Sequence, residues 1–175
     1  DGLKGILVRE SLLRADFVLS SGQRSSFYLD GRRTSMHPEG AALCAELILE
    51  GLSDLELDAV GGPVLGAAPL VGALASESFR RGRPLNTFLV RREAKGHGTA
   101  KLIEGLFPVG GAVALVEDVV TTGGSVLRAL AVARGEGAKV ARVICVVDRE
   151  QGGAEAMIEH QVDYRALFTV SELLG

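Results

Sequence analysis

One stretch restricts the possible folds of this 175-residue chain more than any other: residues 112–125, Ala-Val-Ala-Leu-Val-Glu-Asp-Val-Val-Thr-Thr-Gly-Gly-Ser. The apolar run 113–116 predicts a buried strand that stops at two adjacent carboxylates, Glu117 and Asp118. Val119 and Val120 follow, then a small, hydroxyl-rich turn, Thr121-Thr122-Gly123-Gly124-Ser125. Beyond it, Val126, Leu127, Leu130 and Ala131 recur at helical spacing. Each part has a chemical use. Glycines let the backbone bend and approach a ligand closely. The first N–H groups of a helix lack internal partners and carry the positive end of its dipole, so they favour phosphate. The Thr and Ser hydroxyls add donors. The two carboxylates repel phosphate and suit instead ribose hydroxyls or a Mg²⁺ carried by a substrate. An ordinary strand-to-helix turn capped by Ser125 would have no use for two adjacent acids.

The bulk numbers exclude several classes. At 175 residues the chain is expected to be a single domain, 1–175, with a helix and hairpin over about 1–35 and an α/β core over about 36–175. Charged residues are 23% and the net charge is −3, which argues against a nucleic-acid-binding protein. Cys44 and Cys145 are isolated within apolar segments, so neither a disulfide framework nor a zinc site is expected, and a cytoplasmic location is. No apolar run is long enough to span a membrane, and no signal-peptide pattern opens the chain. No Gly-Lys-Ser/Thr phosphate loop is present.

Leu3, Ile6, Leu7, Leu12 and Leu13 predict an amphipathic N-terminal helix. Strands are expected at about 16–20 and 26–30, joined by a turn at Ser21-Gly22, a hairpin placed like a small hood. His37-Pro38 opens a helix to about residue 52, with Pro in its first turn. A strand at 58–61 leads into the loop Gly61-Gly62-Pro63-Val-Leu-Gly66, a second anion-binding candidate, and then a helix over 66–81 with Leu70, Leu74 and Phe79 on its apolar face. A strand at 85–90 precedes Arg91-Arg92-Glu93-Ala94-Lys95-Gly96-His97-Gly98, which has no periodicity and is read as a glycine-rich, mobile loop. After the helix at 125–135, a strand over 139–147 ends at Asp148-Arg149, the usual place for a ligand contact in an α/β sheet. A helix at 154–160, a strand at 163–168 and a last turn at 171–174 close the chain.

Strand, acidic pair and Thr/Gly turn together resemble the phosphoribosyl pyrophosphate (PRPP) signature of the type I phosphoribosyltransferases. Three further stretches resemble the orotate phosphoribosyltransferases among them: Phe17 to Tyr28 around Ser21-Gly22, the Arg91–His97 loop, and Asp148-Arg149. The resemblance implies an α/β fold with a mainly parallel central sheet flanked by helices and a small N-terminal hood. It implies transfer of a phosphoribosyl group from PRPP to orotate with Mg²⁺, in pyrimidine biosynthesis. By resemblance, Arg91, Arg92, Lys95 and His97 would neutralise pyrophosphate, and Lys95, His97 and Asp118 would carry catalysis. Glu117 and Asp118 would hold ribose hydroxyls directly or through metal-bound water. Val119, Val120, Thr121, Thr122, Gly123, Gly124 and Ser125 would bind the 5′-phosphate side of PRPP. Thr121, Tyr28 and Arg149 would contact orotate, Arg149 through the carboxylate. The resemblance also implies a homodimer in which Arg92 or Lys95 acts in the partner's site. Two positions depart from the family pattern: Ser20 stands where many members carry Lys, and Leu65-Gly66 where some carry an aromatic-Lys pair. Arg24 is the cation nearest to Ser20 in sequence.

The residue types suit the chemistry. Breaking the bond from C1 to pyrophosphate leaves a cationic ribose and a departing polyanion, so cations that meet the growing charge lower the barrier. Guanidinium forks bind phosphate and planar carboxylate alike. Lys supplies a compact charge and His a proton or hydrogen bond near neutral pH. The rival expectations are a PRPP-sensing regulator without catalysis and a phosphoribosyltransferase for a purine or uracil.

Overall fold

Leu3, Ile6 and Leu7 are almost fully buried and anchor α1 (Leu3–Ile6), which runs through a π-helical turn (Leu7–Ser11) into β1 (Leu12–Val18). The structure, a computed structural model, describes residues 2–18, 24–93 and 101–175. Leu12 and Leu13 therefore begin a strand instead of ending a helix. Two adjacent leucines carry no period of their own, and pairing with β2 (Arg24–Leu29) decides it: Leu12 lies opposite Leu29 and Leu13 opposite Tyr28 in an antiparallel ladder. The expected turn at Ser21-Gly22 lies outside the described residues.

A short α2 (Arg32–Ser35) leads to α3 (Pro38–Gly51), which starts as expected: Pro38 occupies its first turn and the His37 ring accepts from Gly40 N at 3.3 Å. β3 (Ala59–Pro63), α4 (Ala67–Arg80) and β4 (Asn86–Val90) form the first parallel unit. Leu70 and Leu74 of α4 are buried, but Phe79 is 74% exposed and does not belong to the core face expected for it. β5 (Ile103–Gly105) is an antiparallel edge strand on β4, too short to leave a periodic signal. β6 (Ala112–Val120), α5 (Gly124–Gly135), β7 (Lys139–Asp148), α6 (Gly153–Glu159), β8 (Asp163–Thr169) and α7 (Val170–Leu174) complete the chain. α7 opens on a reciprocal cap between Thr169 and Glu172.

The sheet order is β5-β4-β3-β6-β7-β8, with every pairing parallel except β4–β5. Period-two alternation sends Ala114, Val116, Ile144 and Val146 into one buried cluster with α1, α3 and α4. Val113, Leu115, Val143 and Cys145 enter a second cluster with α5 and α6 on the other face. Both faces are covered, so β6 reads as a continuous apolar run. The chain builds outward from β3 to β4, then returns to place β6 on the other side of β3. That reversal leaves a crevice beyond the ends of β3 and β6, where open α/β sheets bind ligands.

Candidate active site

The acidic pair stands at this crevice. β6 does not stop at Glu117 but continues to Val120, because Glu117, Val119 and Val120 all pair with β7. Glu117 and Asp118 are buried rather than on the rim. Asp118 N reaches Glu117 Oε1 at 3.3 Å and Val119 N donates to Asp118 Oδ1 at 2.8 Å. Neither carboxylate has an ion-pair partner among the described residues. Burial, reinforced by Asp118, pushes Glu117 up to about 9. Burial likewise raises Asp118, against the hydrogen bond from Val119. Two adjacent buried acids with no ion-pair partner among the described residues form a site suited to a cation or to hydroxyl donors.

The loop after β3 closes on the same two acids. A methyl group at Gly66 would overlap Glu117 Oε1 and Asp118 Oδ1, so only glycine lets this backbone lie against them. The Val64–Leu65 peptide just before it is cis.

Beside the pair, the turn 121–123 enters α5 through Gly123, whose φ of +83° places it in the left-handed region. Gly123, and not Ser125, is therefore the N-cap. Leu127 N donates to Gly123 O at 2.9 Å, which leaves the N–H groups of residues 124–126 without helical partners. A pocket of about 240 Å³ opens there, walled by Arg92, Glu117, residues 119–126 and Arg128. A second hollow of about 190 Å³ shares Arg92, Ser125 and Arg128 with it and adds Arg91. The apolar hollow of about 400 Å³ that holds Leu49, Leu57 and Leu85 lies before β3 and β4, at the other end of the sheet. It contains none of these residues.

Arg128 was missed in the sequence. It lies three residues after Ser125 on α5, one helical turn on, and that spacing is the signal that could have found it. It makes no ion pair among the described residues. Arg91 is less free: its guanidinium reaches Glu104 of β5 at 3.3 Å and its N–H donates to Leu102 O at 2.7 Å. Arg92 is exposed and faces both hollows. Lys95, His97 and Ser20 lie outside the described residues.

At the end of β7, Arg149 N donates to Val120 O at 2.8 Å, which ties Arg149 to the signature strand. Its guanidinium carbon lies 5.4 Å from the centroid of Phe27 in the hood. Arg149 Nε is buried and has no hydrogen-bond partner among the described residues. An unsatisfied buried donor on a guanidinium is costly, and a bound carboxylate would satisfy it. Phe27 and Tyr28 point to opposite faces of β2, as neighbours in a strand must. Phe27 packs toward the core and Arg149, whereas Tyr28 is 37% exposed.

A parallel sheet with a glycine turn for phosphate, a buried acidic pair and guanidinium groups around one crevice defines a phosphoribosyl-transfer fold, and the phosphoribosyl transferase domain family matches residues 35–163. The full chain extends the match. It is 42% identical over 177 residues to the orotate phosphoribosyltransferase of Rhodopseudomonas palustris (strain BisB5), covering 99% of this chain and 95% of the relative. The orotate phosphoribosyltransferase of Mycobacterium tuberculosis H37Rv, solved with Fe(III) dicitrate, is 37% identical with a TM-score of 0.89, over 98% of this chain and 96% of that one. The same mycobacterial enzyme solved with PRPP gives 36% identity and a TM-score of 0.83, over 98% and 96%. This chain belongs to the orotate phosphoribosyltransferase family.

Proposed function

We propose that this chain transfers the phosphoribosyl group of PRPP to orotate, giving orotidine 5′-phosphate and pyrophosphate on the route to pyrimidine nucleotides. The orotate ring nitrogen bonds to C1 of the ribose as the bond from C1 to pyrophosphate breaks, so no nucleophile from the protein is required. The observation that carries the choice of acceptor is the buried, unpartnered Arg149 Nε beside the Phe27 ring. A planar ring bearing a carboxylate would use both. Its relatives' PRPP complex supports the donor substrate.

In this reading Glu117 and Asp118 take the ribose hydroxyls, and Val119, Val120, Thr121, Thr122, Gly123, Gly124 and Ser125 cradle the 5′-phosphate. Arg91, Arg92, Lys95 and His97 meet the departing pyrophosphate, with Lys95, His97 and Asp118 closest to the chemistry. Thr121 and Tyr28 complete the orotate side. Mg²⁺ would arrive on PRPP and be held through water by the buried pair Glu117 and Asp118. When bound it would offset charge on the pyrophosphate. Residues 1–175 act as one catalytic unit, with Arg92 or Lys95 reaching into a partner's site in a homodimer. The two cysteines are free and buried, in keeping with a cytoplasmic enzyme, and no described helix is long and apolar enough to cross a membrane.

The experiment offers the protein Mg²⁺, PRPP and one base at a time: orotate, uracil, adenine or hypoxanthine. Loss of orotate alone, and no loss when Mg²⁺ is chelated, is the expected result. Turnover of a purine would overturn the roles of Arg149 and the hood. PRPP binding without turnover of any base would identify a regulator.

A further inference from the structure

At the end of β7 a set of hydrogen bonds holds the backbone on either side of Arg149 without touching its guanidinium. Asp148, the last residue of the strand, is 5% exposed and uses both carboxylate oxygens. Its Oδ1 accepts from Glu150 N at 2.7 Å, closing the turn around Arg149. Its Oδ2 accepts from the Tyr164 hydroxyl at 2.8 Å, across from β8. The same hydroxyl lies 3.0 Å from Cys145 Sγ. Glu150 has a φ of +57°, a conformation that non-glycine residues seldom adopt, and its carboxylate accepts from Ser171 N at 2.9 Å. The Arg149 backbone is thus held on one side by Val120 O and on the other by a turn pinned through Asp148 to Tyr164.

Val120 O fixes where Arg149 starts, and the Asp148 turn, with Glu150 held to Ser171, fixes where the chain leaves it. Burial, with Cys145 and Asp148 beside it, raises Tyr164 well above the ordinary phenol range, so the hydroxyl remains a neutral donor throughout the working pH range. An Asp148 released from Tyr164 would leave a buried carboxylate oxygen unsatisfied, and the turn is the nearest part able to move in response.

We propose that Tyr164 and Asp148 are positioning residues for Arg149, and that together they set how tightly the carboxylate-bearing base is held. The proposal rests on the reading of Arg149 as the orotate carboxylate partner.

The test is steady-state kinetics on the full chain, varying orotate and PRPP separately, for Tyr164→Phe, Asp148→Asn, Arg149→Ala and Tyr164→Phe/Arg149→Ala. Tyr164→Phe keeps the ring and removes only the hydroxyl. It is expected to raise the KM for orotate about five- to tenfold, the cost of one lost hydrogen bond, and to leave the KM for PRPP within about twofold. Asp148→Asn should move the same constant in the same direction. Arg149→Ala should raise it further, and adding Tyr164→Phe to Arg149→Ala should change nothing more, since a positioning residue has no effect once the group it positions is gone. If Arg149→Ala leaves the orotate KM unchanged, the role of Arg149 is wrong and the proposal falls with it. If Arg149→Ala raises that constant and Tyr164→Phe does not, only the proposal fails. Equal rises for both substrates, or additive effects in the double variant, would make Tyr164 a packing residue and overturn the proposal as well.

Discussion

The guanidinium of Arg149 lies over the ring of Phe27, with 5.4 Å between Cζ and the ring centroid, so two residues 122 positions apart in the chain form one wall. One belongs to the hood and the other to the end of a core strand. The contact uses the negative face of the aromatic ring and leaves the guanidinium edge for a ligand.

Replacing Phe27 by Leu keeps apolar volume and removes that face. The expected loss is about 0.5–1 kcal/mol, seen as a rise of about two- to fivefold in the KM for orotate. The KM for PRPP should stay unchanged. Equal effects on both substrates would show instead that the hood as a whole had shifted.

Arg128 should contribute to PRPP binding and not to orotate binding, because it faces the phosphate turn from one helical turn along α5. Arg128→Ala is expected to raise the KM for PRPP about tenfold, the value of one charge-assisted contact in an open site. Raising the salt concentration should shrink the difference between variant and parent.

Glu117 should destabilise the ligand-free protein as pH rises. Its folded value is raised to about 9 by burial and by Asp118. The folded state therefore holds a proton that the unfolded chain has released above its ordinary carboxylate range. Stability from this group is complete below that range and falls as pH rises toward 9. Glu117→Gln should match the parent in thermal unfolding near pH 4 and exceed it near pH 8, by about 2–4 °C for each kcal/mol recovered. Its activity should fall, since the amide cannot replace a carboxylate toward ribose hydroxyls or metal-bound water. A variant that loses stability at both pH values would contradict this account.

Asp54 gives the opposite sign. The Arg142 guanidinium, bonded to it at 2.6 Å and 3.0 Å, holds its carboxyl at about 2. Stability from the pair is present above the ordinary carboxylate range and is lost as pH falls through that range toward 2. Asp54→Asn should lower the melting temperature at pH 7, and the gap from the parent should close in acid. Arg142 also donates to Gly51 O and Asp163, so it ties the end of α3 to β7 and β8. Arg142→Ala is accordingly expected to lower the melting temperature more than Asp54→Asn does, because it removes all three contacts at once.

Much of the site was legible where it is contiguous. Residues 112–125 carry strand, acids, turn and helix start in order, and the structure keeps that order while moving details by a residue or two. The extension of β6 through Glu117 and Asp118 was hidden because charged residues normally end a buried strand, whereas here they continue its pairing. β5 was hidden because three residues carry no period. Leu12 and Leu13 were misplaced because a short apolar run fits helix and strand equally until a partner strand pairs with it. Phe79 lies five residues after Leu74, about 140° round the helix, so it leaves the buried stripe, which continues at Ser78.

Local chemistry is written along the chain: which turns can bind anions, which segments alternate or repeat, and which side chains carry charge. These depend on bonding within a few neighbouring residues, where the chain's own geometry leaves little choice. Folding is what sets Gly66 against Glu117 and Asp118, turns Phe27 toward Arg149 and brings Tyr164 to Asp148. Those contacts join distant segments, and they arise from the crossover that places β6 beside β3 and from the packing of both sheet faces. The free energy that selects them is spread over the whole core, so no short stretch of sequence contains it.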